Sequence, residues 1–113
     1  MRTLNDYFIT SAIPDVSALS STFVAIPDGG RIIKIITHNA VVTSGTSAIS
    51  FEIGGVAIAG SAISHTASGS ANRTITVAPT GANRVEEDGA VELITNGGST
   101  NTSAMAVTLI IRR

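Results

Sequence analysis

Apolar and polar residues alternate with a period of two over several short stretches of this chain. The clearest stretch is C-terminal, where one face of a strand would carry Met105, Val107, Leu109 and Ile111. Residues 49–53 alternate in the same way and are followed directly by Gly54-Gly55 and a second apolar run. Successive side chains of a strand point to opposite faces, and a glycine pair accepts positive φ. This pattern therefore predicts a β-hairpin centred on the two glycines.

Further short strands are predicted over residues 23–26, 31–39, 74–77 and 90–94. Turn-forming residues separate them, among them Pro27-Asp28-Gly29-Gly30, Asp88-Gly89 and Asn96-Gly97-Gly98. No stretch repeats apolar residues at i, i+3 and i+4, so little helix is expected. Seven or eight short strands joined by tight turns predict an all-β fold, a single antiparallel β-sandwich or jelly-roll-like domain.

The predicted strand over residues 31–39 is apolar on both faces. In a regular strand Ile33 and Ile35 share one face, and Ile32 and Ile36 share the other. A two-layer sandwich covers only one face of each strand, so the second face needs another cover. Either a loop of the same chain lies over it, or it contacts another subunit. The four isoleucines are therefore candidates for an oligomer interface.

The first twenty residues differ from the rest because their apolar residues are irregularly spaced. They predict an extended N-terminal arm over residues 1–20, followed by the sandwich domain over residues 21–113. Leu4, Tyr7 and Phe8 are large side chains that need burial, either on the chain's own sandwich or on a neighbouring subunit. These three, with Arg2, are therefore candidates for contact with a neighbouring copy or another partner.

The amino-acid composition excludes several classes of protein. The 113 residues suffice for one core, and with only four aromatic residues that core must consist mainly of Ile, Val and Ala. There is no cysteine to form a disulfide, and a net charge of −1 does not favour nucleic acid as a partner. Residues 53–72 carry no formal charge but are too rich in Ser and Gly for a membrane span. The polar N-terminus also argues against a signal peptide.

No pattern of residues indicates catalysis, a metal site or a cofactor. The two histidines, His38 and His65, are far apart in sequence, and no Gly-x-Ser-x-Gly motif occurs. The acidic run at residues 86–88 is typical of a solvated turn, because neighbouring residues of a strand point apart and cannot converge on calcium. We therefore expect no enzymatic activity.

The chain resembles small structural proteins of tailed phages over its whole length. The residues that carry this resemblance are Arg2-Thr3-Leu4-Asn5-Asp6-Tyr7-Phe8, Ile13-Pro14-Asp15, Pro27-Asp28-Gly29-Gly30, Phe51-Glu52-Ile53-Gly54-Gly55, Ser99-Thr100-Asn101-Thr102 and Ile110-Ile111-Arg112-Arg113. Within that group the chain is most similar in size and character to capsid decoration, or cement, proteins.

The resemblance implies a virion structural protein that binds the outer surface of the phage head and bridges subunits of the major capsid protein. Leu4, Tyr7 and Phe8, with Arg2, would then contact the capsid or a neighbouring copy. It also implies a homo-oligomer, a trimer in preference to a dimer, that is made in the host cytoplasm and has no catalytic residues. Two alternatives remain, a tail or fibre β-module and a carbohydrate-binding β-sandwich. Few exposed aromatic residues are expected outside the arm, which weakens the carbohydrate alternative.

Overall fold

The computed structural model describes residues 6–41, 45–66 and 74–113, which form ten β-strands and no helix. The strands are β1 (Asp6–Ile13), β2 (Leu19–Ala25), β3 (Gly30–Asn39), β4 (Thr46–Ile53), β5 (Val56–Ala57), β6 (Ile63–Thr66), β7 (Thr74–Val77), β8 (Arg84–Val85), β9 (Ala90–Asn96) and β10 (Met105–Arg112). Within these ranges, accordingly, no helix is available to cross a membrane.

The strands form two antiparallel sheets. Sheet A has the order β1-β10-β3, and β7 and β8 pair with successive parts of the free side of β3. Sheet B has the order β2-β9-β4, and β5 and β6 share the free side of β4 in the same way. The chain passes from one sheet to the other between β1, β2, β3 and β4, and its last two strands pair with its first two. This is the antiparallel sandwich of jelly-roll type that the sequence predicts.

The core lies between the sheets and consists mainly of β-branched and other aliphatic side chains, as the composition predicts. Its buried members are Ile13, Val16, Val24, Ile26, Ile32, Ile35, Ile49, Phe51, Ile58, Ile63, Val85, Val91, Leu93, Met105, Val107, Leu109 and Ile111. Each fully buried side chain of this size contributes about 1.5–3 kcal/mol relative to exposure. Phe51 is the only aromatic residue of the described ranges that is fully buried.

The two clearest sequence patterns are confirmed. Along β10 the four predicted residues from Met105 to Ile111 are buried, and the residues between them face outward. Gly54 and Gly55 have φ values of 58° and 81° and join β4 to β5 in a two-residue turn. Only residues that tolerate positive φ at both positions allow this hairpin.

The structure differs from the predicted arm. Asp6–Ile13 is an edge strand that pairs along its whole length with β10, from Asp6 opposite Arg112 to Ile13 opposite Met105. Tyr7, Ile9 and Ile13 point towards the core, and Ser11 occupies the remaining inward position. Because that serine interrupts the apolar series, the sequence of β1 shows no regular alternation. The boundary predicted at residue 20 falls inside β2, and residues 1–5 lie outside the described ranges.

The strand that was predicted to be apolar on both faces contains a β-bulge. Along β10 the neighbours Ile110 and Ile111 lie opposite Lys34 and Ile32, so Ile33 is an extra residue in β3. A bulge of this kind changes the phase of the alternation. Ile32 and Ile35, three positions apart, therefore both point into the core, where neither is exposed.

Candidate interaction surfaces

The four residues predicted to contact the capsid or a neighbouring copy have different positions. Arg2 and Leu4 lie outside the described residues. The ring of Tyr7 is half-buried, and its hydroxyl donates a hydrogen bond to the backbone carbonyl of Asp28 in the turn between β2 and β3. Phe8, the next residue of the strand, points outward and is 69% exposed. Of the two described residues, Phe8 is therefore the one available to a partner.

The four predicted interface isoleucines fall into two pairs. Ile32 and Ile35 are completely buried, so the structure corrects their assignment to an interface. Ile33 and Ile36 lie on the outer face of sheet A and are half-buried. The bulge explains this difference, because Ile32 and Ile36 would lie on the same face of a regular strand.

The outer face of sheet A carries a row of charged side chains across four strands. Asp6 lies opposite Arg112, Arg112 lies opposite Arg31, and Arg31 lies opposite Arg84. Asp6 and Arg112 form a two-bond ion pair, with both nitrogen–oxygen distances at 2.8 Å. This carboxylate raises the pKa of Arg112 above its ordinary value, because it accepts hydrogen bonds from the charged form. In the described ranges no ion pair is formed by Arg31 or Arg84.

The row borders a shallow groove of about 260 Å³. Four arginines line it together with the bulged residue: Arg31, Ile33, Arg84, Arg112 and Arg113. Arg113 bonds the Asp28 carboxylate at 2.6 Å, and its guanidinium lies 6.0 Å from the centre of the Tyr7 ring. The groove thus has strongly cationic walls, and only two of its four arginines are paired with a carboxylate of the described residues.

The outer face of sheet B is apolar at one edge and acidic in the middle. Leu19 and Phe23 on β2 are 77% and 66% exposed. Phe23 lies opposite Glu92 of β9, and Glu92 lies opposite Glu52 of β4. A groove of about 270 Å³ runs beside Leu19 and Ile94 on the same sheet.

The two histidines lie in different parts of the sandwich. His38 lies on the outer face of sheet A, where its Nδ1 is 2.7 Å from the hydroxyl of Thr74. His65 is buried between the sheets, with its Nε2 2.9 Å from the hydroxyl of Thr37. The described ranges contain no cluster of three His, Cys, Asp or Glu side chains that could hold a metal ion.

The sequence alone does not predict the charged row, although it contains part of the signal. Alternation placed Arg112 on the polar face of its strand and Glu52 on that of another. It could not show which strands are neighbours, because residues 31, 84 and 112 meet only through the sheet topology. The pairing of strands, more than the pattern within them, creates these surfaces.

No protein-family model matches the chain, and no curated protein matches it. Among solved structures, the chain is similar to PirA with 14% identity and a TM-score of 0.42, over 100% of this chain and 97% of that one. It is similar to the P-domain of Macrobrachium rosenbergii nodavirus with 12% identity and a TM-score of 0.38, over 95% and 92%.

Bacillus endospore appendages, a family of disulfide-linked pili, show 17% identity and a TM-score of 0.27, over 99% of this chain and 96% of that one. This chain has no cysteine with which to form such links. At these identities and TM-scores the similarities carry no argument about function.

Proposed function

We propose that the chain is a virion structural protein, a capsid decoration protein of a tailed phage. It binds the outer surface of the head as a homo-oligomer, preferably a trimer, and bridges subunits of the major capsid protein. The observation that carries the proposal is the exposure of aromatic side chains. Two of the four aromatic residues, Phe8 and Phe23, are about two-thirds exposed, on opposite sheets.

A small domain with few aromatic residues gains stability by burying them, so exposed ones need another explanation. Phenylalanine buries a large area in a partner's pocket and is a common anchor of protein interfaces. Phe8 has apolar Ile110 opposite it on β10, which extends the contact area on sheet A. Leu19 is exposed on the same face of β2 as Phe23 and extends the apolar contact area on sheet B. Two such faces allow one copy to contact two neighbours, as bridging requires.

Binding to heads tests the proposal. Purified protein is mixed with expanded heads of the encoding phage that were prepared without it, and bound copies are counted by gel densitometry and electron microscopy. We expect saturable binding with regular external density, in hundreds of copies per head. A protein found in a few copies at the tail would overturn the capsid assignment and support the tail or fibre alternative.

Residue substitutions locate the contact. Phe8→Ser and Phe23→Ser each weaken binding to heads without disturbing the core, the first by removing a contact with the head and the second by removing a contact with a neighbouring copy. Val41→Ser is the matched control, since Val41 is also a large exposed apolar residue but follows β3, away from the two anchors. Deleting residues 1–5 tests Arg2 and Leu4 and leaves β1 intact. Unchanged binding of the Phe8 variant would exclude Phe8 from the contact.

A further inference from the structure

The arginine row on sheet A holds like charges directly opposite one another. Arg31 faces Arg112 on one side and Arg84 on the other, and neighbouring strands lie about 4.7–4.9 Å apart. Like charges at opposed positions of an antiparallel pair are destabilising. Asp6 compensates Arg112, whereas Arg31 and Arg84 have no carboxylate partner in the described part of the chain. An isolated copy therefore carries an uncompensated pair of positive charges here.

Sheet B also holds two like charges opposite each other, but these charges are negative. Glu92 and Glu52 lie opposite each other on β9 and β4, both on the outer face. Neither has a cationic partner among the residues that the structure describes. Phe23 continues this row on β2, beside Glu92.

We infer that the arginine row of one copy binds the glutamate pair of a second copy in a head-to-tail contact. Each row has a self-repulsion that a surface of opposite charge relieves, and guanidinium and carboxylate groups form strong two-bond pairs. The charges of the two rows also have the same spacing, because both rows run across neighbouring strands and the distance between neighbouring strands is the same in both sheets. In one alignment Arg31 meets Glu92 and Arg84 meets Glu52.

The same alignment brings an aromatic ring against the third arginine. Phe23 precedes Glu92 in its row as Arg112 precedes Arg31 in the other. Phe23 then lies against the Arg112 guanidinium, whose plane is fixed by the two hydrogen bonds that it donates to Asp6. A guanidinium stacked on an aromatic ring is a favourable cation–π contact. The contact therefore combines two ion pairs with one of the exposed aromatic anchors.

Two different surfaces are joined, so the contact is heterologous and repeats from copy to copy. Such contacts close into a ring when the rotation between copies allows it, and otherwise extend into a filament. The inference rests on the homo-oligomer of the proposed function and gives its interface. A ring is the form that the proposed function needs.

Self-association in solution tests the contact without any capsid. The mass of the purified chain is measured by sedimentation over a range of protein and salt concentrations. We expect assembly at low salt and dissociation at high salt, because the Debye length falls from about 8 Å at 0.15 M to about 3 Å at 1 M. A chain that stays monomeric at low salt and high concentration overturns the inference and leaves head binding to be judged separately.

Charge reversal gives the sharper result. Arg31→Glu weakens association by at least about tenfold, because it brings like charges together across the contact. Adding Glu92→Arg to Arg31→Glu restores association by exchanging the two charges of one pair. Adding Glu86→Arg instead gives the same net charge but places the new arginine in the exposed turn after β8. If this second double variant recovers association as well as the first, net charge and not the pairing is responsible, and the inference is wrong.

The thermal stability of the monomer distinguishes a role of Arg31 in association from a role in holding the fold together. At 1 M salt, where the chain is expected to be monomeric, Arg31→Glu should unfold at the same temperature as the wild type or above it, since it removes repulsion with Arg84 and Arg112. A large loss of thermal stability would show that Arg31 supports the fold and would contradict the proposed role.

The double variant with Arg84→Glu and Glu52→Arg exchanges the charges of the second ion pair in the same way, and it should also restore association. Assembled protein that does not bind heads would contradict the proposed function but not this interface.

Discussion

The hydroxyl of Thr37 on β3 lies 2.9 Å from Nε2 of His65 on β6, so a buried hydrogen bond joins sheet A to sheet B. Both side chains are fully buried. The hydrophobic effect that holds the aliphatic core together is non-directional, whereas this hydrogen bond has a defined direction. It therefore helps to fix how the two sheets are aligned.

Replacing Thr37 by valine should destabilise the protein. Valine keeps the shape but leaves the imidazole nitrogen without the hydroxyl, at a cost of about 1–3 kcal/mol for an unsatisfied buried polar group. The midpoint of urea unfolding should fall with an unchanged slope. His65→Leu provides the second arm of a double-mutant cycle. If Thr37→Val costs as much in the His65→Leu background as in the wild type, the two residues are not coupled.

The single tyrosine allows a direct titration, because Tyr7 is the only Tyr and the chain has no Trp. Partial burial and the negative charge of Asp28 raise the pKa of Tyr7 above its ordinary value of 10.0. Because the pKa of Tyr7 is higher in the folded than in the unfolded chain, the contribution of Tyr7 to the free energy of unfolding is fully present below pH 10. This contribution is lost as the pH rises through the folded-state pKa. Ultraviolet absorbance should therefore detect phenolate at higher pH in the folded than in the unfolded chain.

Asp28→Asn should lower this pKa, since it removes a negative charge near the phenol and releases Arg113 from its ion pair. Asp15→Asn is the control, because Asp15 follows the other end of β1. Identical titration curves for wild type and Asp28→Asn would disprove the electrostatic explanation.

The bulge in β3 makes one deletion tolerable and another damaging. Removing Ile33 leaves Ile32 and Lys34 as neighbours opposite Ile111 and Ile110, which is the pairing already present. The expected cost is at most about 1.5 kcal/mol, roughly half that of a fully buried isoleucine. Removing Ile36 instead moves Thr37 and Asn39 out of the core, because a one-residue shift reverses the faces.

Circular dichroism and urea unfolding distinguish these two deletions. The Ile33 deletion should unfold cooperatively, and the Ile36 deletion should be unfolded or severely destabilised. Equal stability of the two proteins would show that the bulge does not set the phase of β3.

The bulge also shows why part of the fold could not be predicted. Pairs of isoleucines at 32–33 and 35–36 fit a strand apolar on both faces as well as they fit a bulged strand with one buried face. Only the regular partner, β10, decides between these interpretations, and partners are not visible within one segment. Where a strand is regular, as in β4 and β10, alternation correctly predicted both the strand and its buried face.

The candidate surfaces were predictable to a smaller extent. Phe8 was identified because a large apolar side chain near a terminus is conspicuous. The exposure of Phe23 could not be predicted, since residues 23–26 are all apolar and show no alternation that would distinguish a buried face from an exposed one. The row of Arg31, Arg84 and Arg112 required the register of three strands that are distant in sequence.

Gly98 offers a test of how closely the loops are packed against sheet B. A Cβ at this position would overlap the backbone carbonyl oxygen of Thr46, at the start of β4. The Asn96 side chain fixes this approach, because its Oδ1 accepts hydrogen bonds at 2.9 Å from the amides of both Gly98 and Ala48. Gly98→Ala must therefore displace backbone, and overpacking of this kind costs about 1–3 kcal/mol or more.

Gly81→Ala is the matched control for this prediction. A Cβ on Gly81 would lie 3.7 Å from the Cβ of Ala59, an ordinary contact, and the backbone of Gly81 does not have positive φ. Where alanine fits, it restricts the unfolded chain and stabilises by about 0.4–1 kcal/mol. The two substitutions are chemically identical, but the changes that they make to the free energy of unfolding should have opposite signs. A Gly98→Ala protein as stable as the Gly81→Ala protein would mean that the 96–98 turn does not approach Thr46 as closely as described.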